Sequence, residues 1–255
     1  MPRNLDDVLD YFLPPAQEEE STRPNPAALP LLTVPLAPDD AVRAGLAWNL
    51  GVEWARRGAR SVLVAPRDRA LAPLWPEAGP GPLGCQVHYA PAHDASALAH
   101  AAIDLAVEQA AVASDGGLVL VALPREWLQH ETLPRPLLRW LLLWSTPDLP
   151  DLRQNYALAK RAWLQGNDAR IGLVVHGARD ASDARSAFAR IAGTARRHLS
   201  RSPVSYGLVV DDLQVYRATA EGRPIGLLHP QSRAARAVGD VAGMLWQDAL
   251  KMNLG

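Results

Sequence analysis

Runs of apolar residues alternate with amphipathic segments along most of the chain. Apolar runs typical of buried strands occur at 29–36, 61–65, 117–123, 137–144, 171–176 and 206–210, with weaker candidates at 85–90 and 225–229. Between several of them, apolar residues recur at helical spacing, at 40–57, 95–113, 150–165 and 181–199. Strands that alternate with helices predict βαβ units. We therefore expect an α/β domain whose mainly parallel sheet is covered by helices on both faces.

The N-terminus carries a separate amphipathic pattern. Its apolar residues share one face of a helix, with aspartates elsewhere, and they are Leu5, Val8, Leu9, Phe12 and Leu13. Two prolines at 14 and 15 end this pattern, and residues 14–28 are polar and proline-rich, as in a flexible linker. The sequence predicts three parts: a short helix at 1–13, a linker at 14–28 and one α/β domain at 29–255.

Composition narrows the class of protein. The formal net charge is −1, so the whole chain has no strong bias toward nucleic acid or anionic membranes. The single cysteine, Cys85, excludes an internal disulfide and suits a reducing compartment. The sequence contains no run of about 18 uncharged apolar residues and no signal-peptide pattern at its acidic N-terminus. We expect a cytoplasmic protein that does not insert into a membrane itself, although a partner could recruit it to the inner membrane or to a cell pole.

The loop after the first predicted strand is chemically unusual. In α/β proteins this loop commonly holds a phosphate with glycines and a lysine, but here it reads Ala37-Pro38-Asp39-Asp40. A carboxylate at a helix N-terminus is a good cap, worth ~1 kcal/mol, and it uses an N–H group that a phosphate would need. At ~5 Å it also repels a phosphate oxygen by about 3 kcal/mol. The acids therefore indicate a capped loop, although a cation or a partner's arginine is an alternative occupant.

Three stretches resemble a known family. They are "NLGVEWARRGARSVLV" at 49–64, "LLLWSTPDLPDLRQNYALAKRA" at 141–162 and "YGLVVDDLQVYRATAEGRPIGLLHPQSRAARAVGDVAGML" at 206–245. In this order they resemble the MinD/ParA family of deviant-Walker ATPases, and most closely its FlhG-like members, over roughly residues 29–246. The resemblance implies a Rossmann-like P-loop NTPase fold.

The positions that carry chemistry in that family differ here. In an alignment with the family, the two lysines of the P-loop fall on Pro38 and Arg43, and two of its glycines fall on Asp39 and Asp40. The magnesium-binding threonine falls on Ala44, the Walker-B aspartate on Ala122 and the adenine-contacting asparagine on His176. The chain has only two lysines, Lys160 and Lys251, and neither follows a glycine-rich loop. The resemblance therefore implies a pseudo-ATPase with a degenerate P-loop, no catalytic residue and no nucleotide cofactor.

As a pseudo-ATPase, the chain is expected to be a scaffold or regulator of a bacterial envelope machine, such as a flagellum, pilus, secretion system or exopolysaccharide synthase. Its partner-binding residues are expected to be the five apolar residues of the N-terminal helix, which could dock either on their own domain or in a partner's groove. Family members dimerise across ATP, so a homodimer or a heterodimer with an active paralogue would here rest on protein contacts alone. An ATPase with atypical nucleotide handling and a DNA-associated positioning protein are the alternatives.

Two further groups of residues suggest sites elsewhere. Arg185, Arg190, Arg196 and Arg197 lie away from the apolar face of the predicted helix at 181–199, and could contact DNA phosphates, bind an acidic peptide or be solvated. Cys85, His88, His93 and His100 invite a metal hypothesis, but their spacing fits no standard ligand pattern. We expect no metal site there.

Overall fold

The computed structural model describes residues 27–67 and 75–252. Eight strands within these residues form one sheet in the order β3-β4-β2-β5-β1-β6-β7-β8. Neighbouring strands pair in parallel, except that β3 pairs antiparallel with β4. The strands are β1 (Leu31–Leu36), β2 (Arg60–Pro66), β3 (Gly79–Pro80), β4 (Gln86–Ala90), β5 (Gly117–Pro124), β6 (Trp140–Ser145), β7 (Arg170–Ala178) and β8 (Val204–Val210).

Helices cover both faces of this sheet, which confirms the predicted α/β class. They are α1 (Ala41–Arg56), α2 (Ala95–Ala110), α3 (Arg125–His130), α4 (Arg135–Leu138), α5 (Leu149–Gln165), α6 (Ala181–Leu199), α7 (Leu213–Ala220), α8 (Ile225–Leu228) and α9 (Arg233–Met252), and a short 3-10 helix covers Pro82–Gly84. One core cluster lies between the sheet and α1, α7 and α9, and a second lies between the sheet and α2, α5 and α6.

The central strands are buried on both faces, and this explains why the sequence shows them as continuous apolar runs. Every residue of β5 and of β6 is buried. A parallel strand between two helical layers has no solvent-facing side, so its residues do not alternate between apolar and polar. The helices instead expose one side, and their apolar residues recur at helical spacing.

Two strand predictions need correction. The weak candidate at 225–229 is wrong, because Ile225–Leu228 forms the short helix α8 directly after Pro224. The run at 137–144 is divided, since Leu137 and Leu138 belong to α4 and β6 begins at Trp140. In both places a proline supplies the fixed φ that suits the start of a helix, and an apolar run of four residues does not distinguish the two structures.

The predicted helix at 1–13 and residues 14–26 of the predicted linker lie outside the described residues. Within the part of the chain that the structure describes, no helix is both long enough and apolar enough to cross a bilayer.

The topology marks one place for a ligand or a contact. Strand β1 lies between β5 and β6, and the chain leaves β1 toward β2 on one side while β6 and β7 lie on the other. In open α/β sheets, ligands bind beyond the carboxyl ends of the strands where the strand order reverses. The carboxyl ends of β1 and its neighbours are therefore the expected place for a functional site.

Candidate functional site

Asp40 caps helix α1 at the carboxyl edge of the sheet. Its Oδ1 accepts a hydrogen bond from the backbone N–H of Arg43 at 3.0 Å, so one of the free donors at the start of the helix has a partner within the chain. Asp39 and Pro38, one and two residues earlier, are exposed. The two acids of the loop therefore have different environments, and Asp40 is the one that caps the helix.

Arg43 is a buried arginine whose guanidinium nitrogens all have partners. The residue is 5 % exposed. Nη1 lies 3.1 Å from Asp40 Oδ2, Nη2 donates to Asp151 Oδ1 at 2.6 Å, and Nε donates to His176 Nε2 at 3.1 Å. A buried cation is stable only when it is both charge-compensated and hydrogen-bonded, and these contacts meet both conditions.

Asp151 lies in the first turn of α5 and joins this helix to the end of β6. Its Oδ2 accepts hydrogen bonds from the Thr146 backbone N–H at 2.7 Å, from Ser145 Oγ at 3.1 Å and from Asn155 Nδ2 at 3.0 Å. Burial opposes its ionisation, but Arg43 and the hydrogen bonds from Thr146 and Ser145 hold the pKa of this carboxyl below its usual value. Asp151 is therefore ionised and positioned to compensate Arg43.

His176 contributes an uncharged acceptor from β7. The residue is buried, and burial, reinforced by the positive charge of Arg43, lowers its pKa to about 4. The imidazole is therefore neutral near pH 7, and because Nε2 accepts from Arg43, its proton lies on Nδ1. The ring packs edge-on against Trp144 of β6, with centroids 6.2 Å apart and planes at 74°.

Arg125 adds a second cation from the start of α3, next to the end of β5. Its Nη1 donates to Gln154 Oε1 at 3.0 Å, and its Nη2 lies 4.0 Å from Asp40 Oδ2. Burial, and then repulsion by Arg43, lower the pKa of this guanidinium. We call Asp40, Arg43, Arg125, Asp151 and His176 the Arg43 cluster. It balances two positive charges with two negative ones across four adjacent strands, β5, β1, β6 and β7.

Only part of this cluster could be predicted from the sequence. The two acids of the loop, Arg43 and His176 were singled out at aligned positions, and the structure brings Asp40, Arg43 and His176 together. Arg125 and Asp151 were missed. Arg125 directly follows β5, and Asp151 follows the turn after β6, so both lie at the carboxyl edge of the sheet, where β1 also ends. This shared position could have indicated them from the sequence.

Ala44 and Ala122, two other positions singled out by the family resemblance, have no polar side chain. Ala44 is 1 % exposed and lies in the first turn of α1, and Ala122 is fully buried inside β5. Neither side chain can bind a cation or donate a hydrogen bond.

The cysteine and histidines considered for metal binding have other environments. Cys85 is fully buried, accepts a hydrogen bond from Ser61 Oγ at 3.6 Å, and has its pKa raised to about 11 by burial. His88 contacts Gln86 Oε1 at 3.3 Å, and His100 Nδ1 contacts the Ser96 carbonyl at 2.8 Å. Among the described residues, no three or more His, Cys, Asp or Glu side chains form a group that could hold a metal ion.

Comparison with known proteins finds similarity in structure only. No protein-family model and no curated protein matches the chain. The MinC:MinD cell division protein complex of Aquifex aeolicus is 14 % identical over 86 % of this chain and 96 % of that one, with a TM-score of 0.59. The cell division ATPase MinD of Pyrococcus furiosus is 15 % identical over 86 % and 98 %, with a TM-score of 0.56.

A ParA family ATPase from Chlorobium tepidum TLS gives a similar result, with 13 % identity over 85 % of this chain and 98 % of that one and a TM-score of 0.55. Nearly the whole length of each of these proteins is matched. The chain therefore has the fold of the MinD and ParA ATPases, as the resemblance of its sequence implied, and identities this low show the fold alone.

Proposed function

We propose that this MinD/ParA-like chain is a pseudo-ATPase, which neither binds nor hydrolyses ATP and acts instead as a protein-binding scaffold or regulator. The observation that carries this proposal is the Arg43 cluster. It fills the carboxyl end of β1, the position at which P-loop proteins hold phosphates, with charges that already compensate one another.

The donors at this position do not suit a magnesium-bound triphosphate. P-loops bind phosphates with free backbone N–H groups, a lysine and a metal-binding hydroxyl. Here Asp40 accepts the N–H of Arg43, and Ala44 has no hydroxyl. Each carboxylate at ~5 Å would repel a phosphate oxygen by about 3 kcal/mol.

Opening the cluster would add a second cost. Removing one partner from a buried ion pair destabilises a protein by about 3–5 kcal/mol. A phosphate that displaced Asp151 from Arg43 would leave that carboxylate beside the new anion. The cluster therefore favours its own closed arrangement over an anionic ligand, which supports the loss of nucleotide binding.

A calorimetric titration of the full chain with Mg·ATP, combined with a phosphate-release assay, tests this proposal. We expect no binding heat up to about 1 mM nucleotide and no turnover above the buffer blank. The thermal midpoint should also stay unchanged, whereas a ligand at 100 times its Kd stabilises a protein by about 2.7 kcal/mol. Micromolar binding or turnover that Arg43→Ala abolishes would contradict the proposal and favour an ATPase with atypical nucleotide handling.

The scaffold part of the proposal assigns partner binding to Leu5, Val8, Leu9, Phe12 and Leu13, which lie outside the described residues. An amphipathic helix presents such residues to a hydrophobic groove. One structural neighbour was solved as a MinC:MinD complex, so this fold supports protein binding elsewhere. We propose that the chain acts in the cytoplasm on a bacterial envelope machine: a flagellum, pilus, secretion system or exopolysaccharide synthase.

A further inference from the structure

Helix α6 carries a series of exposed arginines along its length. We call Arg185, Arg190, Arg196, Arg197 and Arg201 the arginine face. All five residues are exposed; the first four lie on α6, and the fifth lies two residues beyond its end. Residues 184–201 contain no aspartate or glutamate. Among the described residues, no carboxylate pairs with any of the five, and the nearby ion pair of Arg179 with Asp183 precedes them.

Helix-end electrostatics explain only part of this arrangement. Arg196 and Arg197 lie in the last turn of α6, where cations stabilise the negative end of the helix dipole. Arg185 and Arg190 lie in the first half of the helix, where that effect gives no benefit. Five like charges along one surface repel one another, so an anionic partner would be favoured there.

The chain itself contains a segment of opposite charge. Residues 1–26 include six acids and two arginines, and three of the acids are consecutive, at Glu18, Glu19 and Glu20. We propose that this acidic tract binds the arginine face of α6 within the same molecule. The tract thereby anchors the N-terminal segment beside α6 and β8. The inference rests on charge and chain connectivity and does not depend on the loss of ATP hydrolysis.

The described chain begins on the correct face and edge for this contact. Leu29 belongs to the same core cluster as Ile191 and Ala195 of α6, and its N–H donates to the Ala106 carbonyl at 3.0 Å. It precedes β1, so it lies at the amino edge of the sheet. Helix α6 follows β7 and precedes the parallel strand β8, so its C-terminal end returns to that same edge.

The distance to be covered is short. In the sheet, β1 is separated from β8 by β6 and β7, which places these strands about 15 Å apart at ~4.8 Å per strand. Glu20 precedes Ala27 by seven residues, which extend to at most about 25 Å. The acidic tract can therefore reach Arg196, Arg197 and Arg201 without any change in the described residues.

The contact should depend strongly on salt. A short tether holds two groups at an effective concentration in the mM range, which allows a few weak ion pairs to be populated. Exposed charges are screened over about 10 Å at 0.1 M salt and over about 3 Å at 1 M. We therefore expect the tract to bind at low ionic strength and to be released at high ionic strength.

Pulsed electron paramagnetic resonance on the full chain measures this contact directly. Spin labels on Thr22→Cys and Ser186→Cys report the distance between the tract and α6, and the buried thiol of Cys85 stays unlabelled. We expect one short, narrow distance population at about 20 mM salt, which broadens toward longer distances at about 1 M.

Variants identify the groups responsible. Replacing all three glutamates (E18Q, E19Q and E20Q) or the two terminal arginines (R196Q and R197Q) should each reduce the short population at least about threefold at low salt. The matched control is R217Q with R223Q, which removes two exposed arginines elsewhere and should leave the distances unchanged. Circular dichroism and the unfolding midpoint establish that each variant is folded.

Three results would overturn the proposal. The first is a broad distribution in the unsubstituted labelled protein at low salt. The second is a short population that the arginine variants leave unchanged. The third is a short population that disappears when labelled protein is diluted with unlabelled protein, because the tract then binds a second copy. In the first two cases the arginine face is not the binding site of this tract.

Discussion

At the scale of single residues, Arg43 is held by geometry as well as by charge. Each of its three guanidinium nitrogens has a different partner, from the loop after β1, from α5 and from β7. A lysine at this position has a single nitrogen and could not span these three contacts. Arg43 therefore holds contacts that a lysine of the same charge could not hold.

His176 gives the cluster a predictable dependence on pH. Its ordinary pKa is 6.5, and its folded value is about 4, so the unfolded chain binds the proton first as the pH falls. The stability contributed by the neutral imidazole is complete above about pH 6.5 and is lost as the pH falls through 4. The difference corresponds to about 3 kcal/mol at most.

The variant His176→Gln tests this dependence, because its amide oxygen can still accept from Arg43 but does not titrate. Urea unfolding between pH 7 and pH 4 should show a stability loss smaller by about 2–3 kcal/mol in the variant than in the unsubstituted chain. The low pKa of Asp151 affects both proteins equally and at lower pH. Parallel pH profiles for the two proteins would show that His176 does not titrate as described.

At the scale of elements, α1 packs against β2 at a glycine, Gly51. A Cβ on Gly51 would lie 2.3 Å from Leu63 Cδ1 and 3.0 Å from Cys85 Sγ. Both neighbours are fully buried. The glycine therefore sets the distance between the helix that carries Arg43 and the sheet.

The variant Gly51→Ala should lower the free energy of unfolding by about 1–3 kcal/mol, because overpacking outweighs the better helix propensity of alanine. Gly193→Ala is the matched control, since a Cβ there meets nothing within 4 Å in the exposed part of α6. It should raise stability by about 0.5–1 kcal/mol. If urea unfolding shows that both substitutions raise the free energy of unfolding by the same amount, α1 can move away from β2.

The elements also show how far the sequence supports a fold prediction. The strands at 117–124 and 170–178 and helix α6 were predicted within a few residues, because a long apolar run favours a buried strand and sustained helical spacing favours a helix. The short helix α8 was predicted as a strand, because four apolar residues have no periodicity. Of the Arg43 cluster, Arg125 and Asp151 were not predicted, since their proximity depends on the order of the strands, which no single segment encodes.

At the scale of the whole molecule, the proposed partner binding belongs to the N-terminal segment rather than to the α/β domain. Replacing Leu9 and Phe12 with serine in the full chain should abolish co-purification of the partner from native cells, because it removes the centre of the apolar face of the predicted helix. The control, Asp6→Ser with Asp10→Ser, changes the polar side and should retain the partner. Equal recovery with both variants would contradict the assignment.

Arg43, which pairs with Asp40 of the loop after β1, is part of the polypeptide, so every folded molecule carries it. A diffusible ligand stabilises a protein by mass action and leaves when its concentration falls. The Arg43 cluster has no such dependence. Under the proposed loss of nucleotide binding, a fall in the adenylate pool would leave the electrostatics of this edge unchanged.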